Sequence, residues 1–152
     1  MSSAPKSPDI PAIQSAIRAA GLDGWLFHSF RDLDPISRRI LKRDLDSFET
    51  RRWFYLVPAA GEPAKLVHSI ERGALDGLPG PKSIYLSWKE LRDGVAKLVS
   101  GHRKIAMQYS PKNSIPYVSR VDAGTVELVR SYGVEVHTSA DLVQRFEAVL
   151  TE

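Results

Sequence analysis

Residues 83–108, SIYLSWKELRDGVAKLVSGHRKIAMQ, contain a strand, a helix and a second strand in direct succession. Ser83–Leu86 and Lys104–Gln108 are short apolar runs typical of strands, and Ser87 and Glu90 between them have the spacing of a capping box. The buried stripe of this helix is formed by Leu91, Val95 and Leu98. Because a strand–helix–strand unit crosses over one face of a sheet, the stretch predicts two parallel strands.

The chain downstream continues the same alternation. Asp122 is placed to cap a helix that ends near Gly133, Val134–His137 has the alternation of a strand, and Ser139 is placed to cap a last helix. Residues 110–119 contain two prolines and are expected to form an ordered loop or a broken edge strand. This half of the chain therefore predicts a largely parallel sheet with helices on both faces.

The chain upstream adds a helix, a strand and a hairpin. Asp9 can cap a helix that ends at Gly21, and Trp25–Phe27 is a short apolar strand. Asp34-Pro35 is a helix start, and residues 52–57 and 64–69 flank a turn rich in Gly and Pro. The predicted fold class is α/β: three α/β/α layers around a mixed, largely parallel sheet with an antiparallel hairpin.

The composition is that of one ordinary globular domain. The 152 residues are 43% hydrophobic and 26% charged, with a net charge of +3 and no cysteine. The lack of cysteine excludes disulfides, thiolate zinc sites and a cysteine nucleophile. Residues 1–8 are predicted to be a flexible tail and 9–152 a single domain. Neither a signal peptide nor a membrane span is apparent, so we expect a cytoplasmic protein without membrane contact.

The titratable residues form no recognisable catalytic or metal motif. The four histidines, His28, His68, His102 and His137, are too widely spaced for a local ligand pair. The pairs Asp32/Asp34 and Asp44/Asp46 have a spacing that a Mg²⁺ site can use, but they lie in turn-like sequence beside arginines. Helix caps and surface ion pairs explain them better. We therefore expect no catalytic residue, no bound metal and no cofactor in this chain.

Residues 51–55, RRWFY, combine cations with aromatic rings, as single-strand nucleic-acid platforms do. The aromatic run continues into Leu56 and Val57, which is typical of a strand buried on both faces. Burial is the preferred interpretation, and nucleic acid is an unlikely partner. A basic nucleic-acid-binding domain stays as an alternative.

Several stretches resemble the N-terminal domain of the creatinase/prolidase family. They are Arg51–Pro58 followed by Gly61–His68, which resemble its hairpin, and Ile105–Pro111 with Ile115–Arg120, which resemble the segment before its last helices. The resemblance covers residues 9–150 and implies that domain's fold, with layering like that of ribonuclease H. Where family members often carry Asn and then Tyr-Leu-Thr-Gly-Phe, this chain has residues 30–36, FRDLDPI.

The resemblance implies a role beside a catalytic domain. Relatives are Xaa-Pro dipeptidases or aminopeptidases whose C-terminal "pita-bread" domain binds two divalent metals, often Mn²⁺. That domain is expected to lie outside these 152 residues, so no ligand is assigned here. The expected function is non-catalytic: to support oligomerisation, with a dimer most expected, and to roof the active site that cleaves short proline-containing peptides.

The loop after the first predicted strand is the segment expected to face that cavity. The candidate substrate-cavity residues are His28, Arg31, Asp32 and Asp34, because a guanidinium or carboxylate there can hold one terminus of a short peptide. A stand-alone dimeric interaction module with the same fold is the main alternative function.

Overall fold

The computed structural model describes residues 7–31, 33–43 and 49–150, with side chains up to Glu147. Residues 1–6, most of the predicted tail, lie outside this part of the chain, as do Asp32 and the pair Asp44 and Asp46. Within the described ranges, no helix combines the length and apolarity that a membrane crossing requires.

The elements alternate as the sequence predicts. The helices are α1 (Ile10–Ala19), α2 (Pro35–Ile40), α3 (Trp88–Val99), α4 (Ala123–Arg130) and α5 (Ala140–Leu150). The strands are β1 (Gly24–Ser29), β2 (Trp53–Pro58), β3 (Ala64–His68), β4 (Lys82–Tyr85), β5 (Lys104–Met107) and β6 (Glu135–Thr138). Short 3₁₀ turns cover Ser69–Glu71, Pro111–Asn113 and Pro116–Val118.

The six strands form one mixed sheet in the order β4-β3-β2-β1-β5-β6. β1 pairs parallel with β5, β5 with β6, and β3 with β4, whereas β2 is antiparallel to both of its neighbours. The predicted hairpin is β2–β3. It extends the sheet from β1 on the side away from β5, and β4 adds one further strand beyond it.

Helices cover both faces of this sheet, which confirms the predicted three layers. α1, α2 and α5 pack on one face around Trp25, Phe27 and Trp53. α3 and α4 pack on the other face around Leu26, Phe54 and Met107. Leu26 packs on the opposite face from its chain neighbours Trp25 and Phe27, because successive side chains of a strand point to opposite faces.

Local sequence signals position the helices. Asp9, Asp34, Ser87 and Asp122 each accept a hydrogen bond from an amide of the first turn, and Ser87 and Glu90 form the predicted capping box. At Gly94 an added Cβ would lie 2.7 Å from Leu66 Cδ1, so glycine lets α3 approach β3 closely.

One local interpretation changes in the folded chain, and another is confirmed. The Ser139 hydroxyl, expected to cap α5, donates instead to Gln108 Oε1 at 2.9 Å, and Thr138 Oγ1 accepts from the Ala140 amide at 3.1 Å. The nucleic-acid alternative relies on the basic charge of the chain and on residues 51–55, whereas burial of their aromatic rings is the preferred interpretation. Trp53, Phe54 and Tyr55 are at most 2% exposed, so these rings belong to the core.

Candidate binding site

Among the described residues, most of the buried polar side chains lie at one edge of the sheet. β1, β3, β4, β5 and β6 all run toward this carboxyl edge, and β2, being antiparallel, begins there. Open α/β sheets bind ligands outside the carboxyl ends of their strands, because the connecting loops leave crevices there. Two neighbouring cavities lie at this edge.

The first cavity has a volume of about 500 Å³, within the usual range of small-ligand sites. β1 and the loop after it form one wall, the start of β2 contributes Arg52, and the start of α4 closes the other side. It is lined by His28, Ser29, Phe30, Leu33, Asp34, Arg52, Arg120, Asp122 and Thr125.

His28 is a buried, neutral base of the first cavity. Its ring stacks on Phe54 with 4.4 Å between centroids, and its Nδ1 lies 3.1 Å from the Trp53 carbonyl oxygen. Since a carbonyl only accepts, Nδ1 carries the proton and Nε2 is left with a lone pair. Burial lowers the pKa of His28 from 6.5 to about 4, although the Asp122 carboxylate 3.8 Å from Nε2 acts in the opposite direction.

Asp122 lies across the cavity from His28. Its two carboxylate oxygens accept from the Thr125 hydroxyl at 2.6 Å and the Thr125 amide at 2.9 Å. Partial burial alone would raise the pKa of Asp122, but these hydrogen bonds and the neighbouring His28 outweigh it and lower that pKa. Asp122 is therefore an ionised carboxylate at the N-terminus of α4.

Asp34 is occupied by structural contacts. Its Oδ1 accepts from the amides of Ile36 and Ser37 at 3.0 and 3.2 Å, and its Oδ2 accepts from the Ser37 hydroxyl at 2.6 Å and from Gln108 Nε2 at 2.9 Å. This confirms the interpretation of Asp34 as a helix cap. That Asp34 also contacts a substrate stays a prediction.

Gln108 joins the loop after β5 to three other elements. Its Oε1 accepts from Trp25 Nε1 at 2.7 Å and from the Ser139 hydroxyl at 2.9 Å, while its Nε2 donates to Asp34 and to Ser37 Oγ. All four of its hydrogen-bonding positions are satisfied although the residue is 2% exposed. The network holds the loop after β1, and with it one wall of the first cavity, in place.

The second cavity, of about 490 Å³, adjoins the first and shares Phe30 and Arg52 with it. It opens over the ends of β3 and β4 and is lined by Phe30, Arg31, Thr50, Arg51, Arg52, His68, Tyr85, Leu86 and Trp88. Arg31 has a positive φ of 55°, which is unusual for a side chain with a Cβ. The predicted site residues thus divide: His28 and Asp34 line the first cavity, Arg31 lines the second, and Asp32 lies outside the described residues.

Sequence reasoning did not assign Arg52, Arg120, Asp122 and Thr125 to a common site. They come from the start of β2, the loop after β5 and the start of α4. Arg52 stood out beside an aromatic strand and Asp122 as a cap, but only the strand order brings them together. Among residues 7–31, 33–43 and 49–150, no three His, Asp or Glu side chains converge into a possible metal site.

No family model and no curated protein sequence matches the chain. Solved structures do match it. The chain is similar to the creatinase/prolidase N-terminal domain of an X-Pro dipeptidase from Streptococcus pyogenes, with a TM-score of 0.63 and 13% identity over 89% of this chain and 95% of that one. It is also similar to a prolidase from Thermococcus sibiricus, with a TM-score of 0.71 and 10% identity over 95% of this chain and 37% of that one.

A third match is dipeptidase PepE from Mycobacterium ulcerans, with a TM-score of 0.60 and 19% identity over 90% of this chain and 34% of that one. At these identities the likeness shows the fold alone. The chain has the fold of the creatinase/prolidase N-terminal domain. It spans about a third of the longer prolidases and almost all of the separate N-terminal domain.

Proposed function

We propose that this chain is a non-catalytic domain of an Xaa-Pro peptidase, and that it roofs the active site of a separate catalytic domain. The observation that carries the proposal is the fold, which matches N-terminal domains of X-Pro dipeptidases over about nine-tenths of the chain. In this proposal the two divalent metals and the hydrolytic chemistry belong to the catalytic domain. This chain limits access to the active site and contributes to assembly of subunits.

The first cavity is the surface that we assign to the active site. Arg52 and Arg120 offer guanidinium donors to the carboxylate of a short peptide, and the lone pair of His28 Nε2 is an acceptor for an amide or amine hydrogen. Phe30 and Leu33, 43% and 68% exposed, stand at its rim and supply apolar surface for a proline ring. Both ends of a dipeptide therefore have a suitable partner.

The direct test is an NMR titration of the ¹⁵N-labelled chain with the dipeptide Ala-Pro. We expect shifts centred on residues of the first cavity, and an Arg120→Gln variant should weaken binding about ten-fold because a charge-assisted hydrogen bond is lost. Arg103→Gln, at the opposite edge of the sheet, is the matched control and should bind normally. Shifts outside the cavity, or none at millimolar dipeptide, would contradict the assignment.

Catalysis is tested separately by incubating the purified chain with Ala-Pro and Mn²⁺. We expect no hydrolysis. Cleavage that copurifies with the chain and disappears with a chelator would overturn the non-catalytic role.

A stand-alone dimeric interaction module is the second candidate function. It is favoured by Leu33, Ile70 and Leu86, apolar side chains that are 65% to 68% exposed in loops at the carboxyl edge. Light scattering at low and high micromolar concentration tests it. A dimer that Leu86→Ser dissociates, without any dipeptide binding, would favour this candidate over the peptidase domain.

A further inference from the structure

The lining of the second cavity contains three arginine side chains and no carboxylate. The three are Arg31, Arg51 and Arg52. Within the described part of the chain, no salt bridge joins any of these guanidinium groups to a carboxylate, although Glu71 attracts Arg51 and the side chain of Arg52 interacts with the Tyr85 hydroxyl. Three cations that line one cavity repel one another unless an anion lies between them, so the cavity is electrostatically suited to an anionic ligand.

The backbone that carries two of these arginines is firmly held. Glu71 accepts from the amides of Thr50 and Arg51 at 2.9 and 2.8 Å, and the Tyr85 hydroxyl donates to the Arg52 carbonyl at 2.6 Å. Burial would raise the pKa of Glu71, but the hydrogen bonds from Thr50 and Arg51 lower it overall. The Glu71 carboxylate beside the cavity is therefore engaged by backbone amides, and it also attracts the Arg51 guanidinium without forming a salt bridge with it.

An exposed aromatic ring stands at the same cavity. Trp88 is 66% exposed, and the guanidinium of Arg92 covers one face of its indole at 4.7 Å from the centroid. The ring is thus oriented by a cation–π contact and still offers surface to a ligand. Exposed tryptophan next to arginines is the combination that stacks a flat ring and holds its phosphate.

We propose that the second cavity binds a small phosphate ester that carries a flat ring, with the phosphate between the arginines and the ring stacked on Trp88. A phosphate carries up to two negative charges and three acceptor oxygens, which matches three guanidinium groups better than one carboxylate does. The volume of about 490 Å³ suits a ligand of nucleotide size. His68 Nδ1 accepts from the Ile70 amide at 3.1 Å, so the neutral ring carries its proton on Nε2 and adds a donor to the lining.

This proposal is independent of the peptidase role assigned to the first cavity. Arg52 lines both cavities and is therefore left unchanged in the test. Arg51 and Trp88 line only the second cavity, and Arg120 lines only the first. Variants at these three positions separate the two proposals.

The experiment is calorimetric titration of the full chain at low ionic strength with AMP, phenyl phosphate, inorganic phosphate and adenosine. Both esters are expected to bind at one site, and to bind more tightly than inorganic phosphate or adenosine. Arg51→Gln should weaken both esters about ten-fold, since one charge-assisted contact is lost. Trp88→Ala should remove the advantage of AMP over inorganic phosphate. If AMP binds more tightly than phenyl phosphate, the ligand is a nucleotide; if the two are equal, it is a general aryl phosphate ester.

Two controls keep the result specific. Lys97→Gln removes an equal charge from the exposed last turn of α3, and Arg120→Gln alters only the first cavity; both should bind AMP as the unmodified chain does. Binding that Arg51→Gln leaves unchanged would overturn the proposal. So would a single-stranded oligonucleotide that binds more tightly per site than AMP, or a tetraglutamate peptide that displaces AMP at equal concentration, because the ligand would then be a polymer.

Discussion

At the scale of single residues, the hydrogen bonds of each polar side chain at the carboxyl edge determine whether that side chain is a fixed part of the scaffold. Gln108 has four hydrogen-bond partners and Asp34 is fully used as a cap, so both are fixed parts of the scaffold. His28 is different, because no donor among the described residues bonds to its Nε2, which faces the Asp122 carboxylate at 3.8 Å. Its protonation is therefore the residue-level event that can change the first cavity.

The pH dependence of stability should report His28. Its pKa is about 4 in the folded chain and 6.5 when unfolded, so between these values the unfolded state binds a proton that the folded state does not. The free energy of unfolding should therefore fall as the pH decreases through this window. The contribution of His28 between about pH 7 and about pH 4.5 is about 2 kcal/mol.

Urea unfolding at these two pH values checks this. The variant His28→Gln should lose about 2 kcal/mol less on acidification than the unmodified chain does. Carboxylates that His28 does not approach titrate equally in both proteins, so the difference isolates His28 together with its neighbour Asp122. His102→Gln, at the far edge of the sheet, should behave as the unmodified chain; equal losses in all three proteins would contradict the burial of a neutral His28.

At the scale of elements, local sequence signals determine where each helix and strand forms. They do not determine which elements lie beside one another. The capping box at Ser87 is visible in sequence and is confirmed. Of the predicted stripe of α3, Leu91 and Val95 are buried, whereas Leu98 is only partly buried and Val99 completes the buried face. The pairing of β3 with β4 is not visible, because the turns between them contain no periodic pattern. The connection into β4 contains one close approach: Gly80, with φ 109°, lies where an added Cβ would be 2.0 Å from the Pro63 carbonyl oxygen.

Replacing Gly80 should therefore weaken the junction between β3 and β4. Gly80→Ala forces a Cβ into backbone at a positive φ, and we expect a loss of at least about 2 kcal/mol in the free energy of unfolding. Gly77→Ala, in the same connection with open space around the added methyl group, should change stability by less than about 0.5 kcal/mol. If both substitutions have equal, small effects on the free energy of unfolding in urea, the backbone at Pro63 moves at little cost to accommodate the added Cβ.

At the scale of the whole molecule, one sheet separates two apolar clusters. Ile17 is fully buried with α1, α2 and α5 on one face, and Leu91 is 2% exposed among α3 and α4 on the other. Because β1 and β2 place alternate residues in both clusters, neither cluster can persist without the sheet. The single domain predicted from the sequence should therefore unfold as one unit.

One substitution in each apolar cluster tests whether the domain unfolds as one unit. Ile17→Ala and Leu91→Ala should each cost about 3 kcal/mol, and each should shift the unfolding transition equally in circular dichroism and in tryptophan fluorescence. In a Trp88→Phe background the remaining tryptophans, Trp25 and Trp53, are buried and report only the cluster of Ile17. If Leu91→Ala shifts the dichroism transition and leaves the fluorescence transition in place, the two faces unfold separately.

The sequence by itself determined the fold class and the order of elements. Helix caps, glycines at helix ends and the 3.6- and 2-residue periods each involve only a few consecutive residues, so they can be recognised without knowledge of tertiary contacts. They predicted every helix and strand that lines the cavities. They also indicated that residues 53–57 are core, a prediction confirmed by the burial of Trp53, Phe54 and Tyr55.

Only the tertiary structure decided which polar residues share a site. Arg52, Arg120 and Asp122 are separated by up to 70 residues and meet because the strand order brings β1, β2 and β5 together. The same order divides the predicted loop residues, so that Arg31 joins Arg51 and Trp88 while His28 faces Asp122. Contacts of this kind follow from long-range packing, for which no local pattern in the chain is a guide.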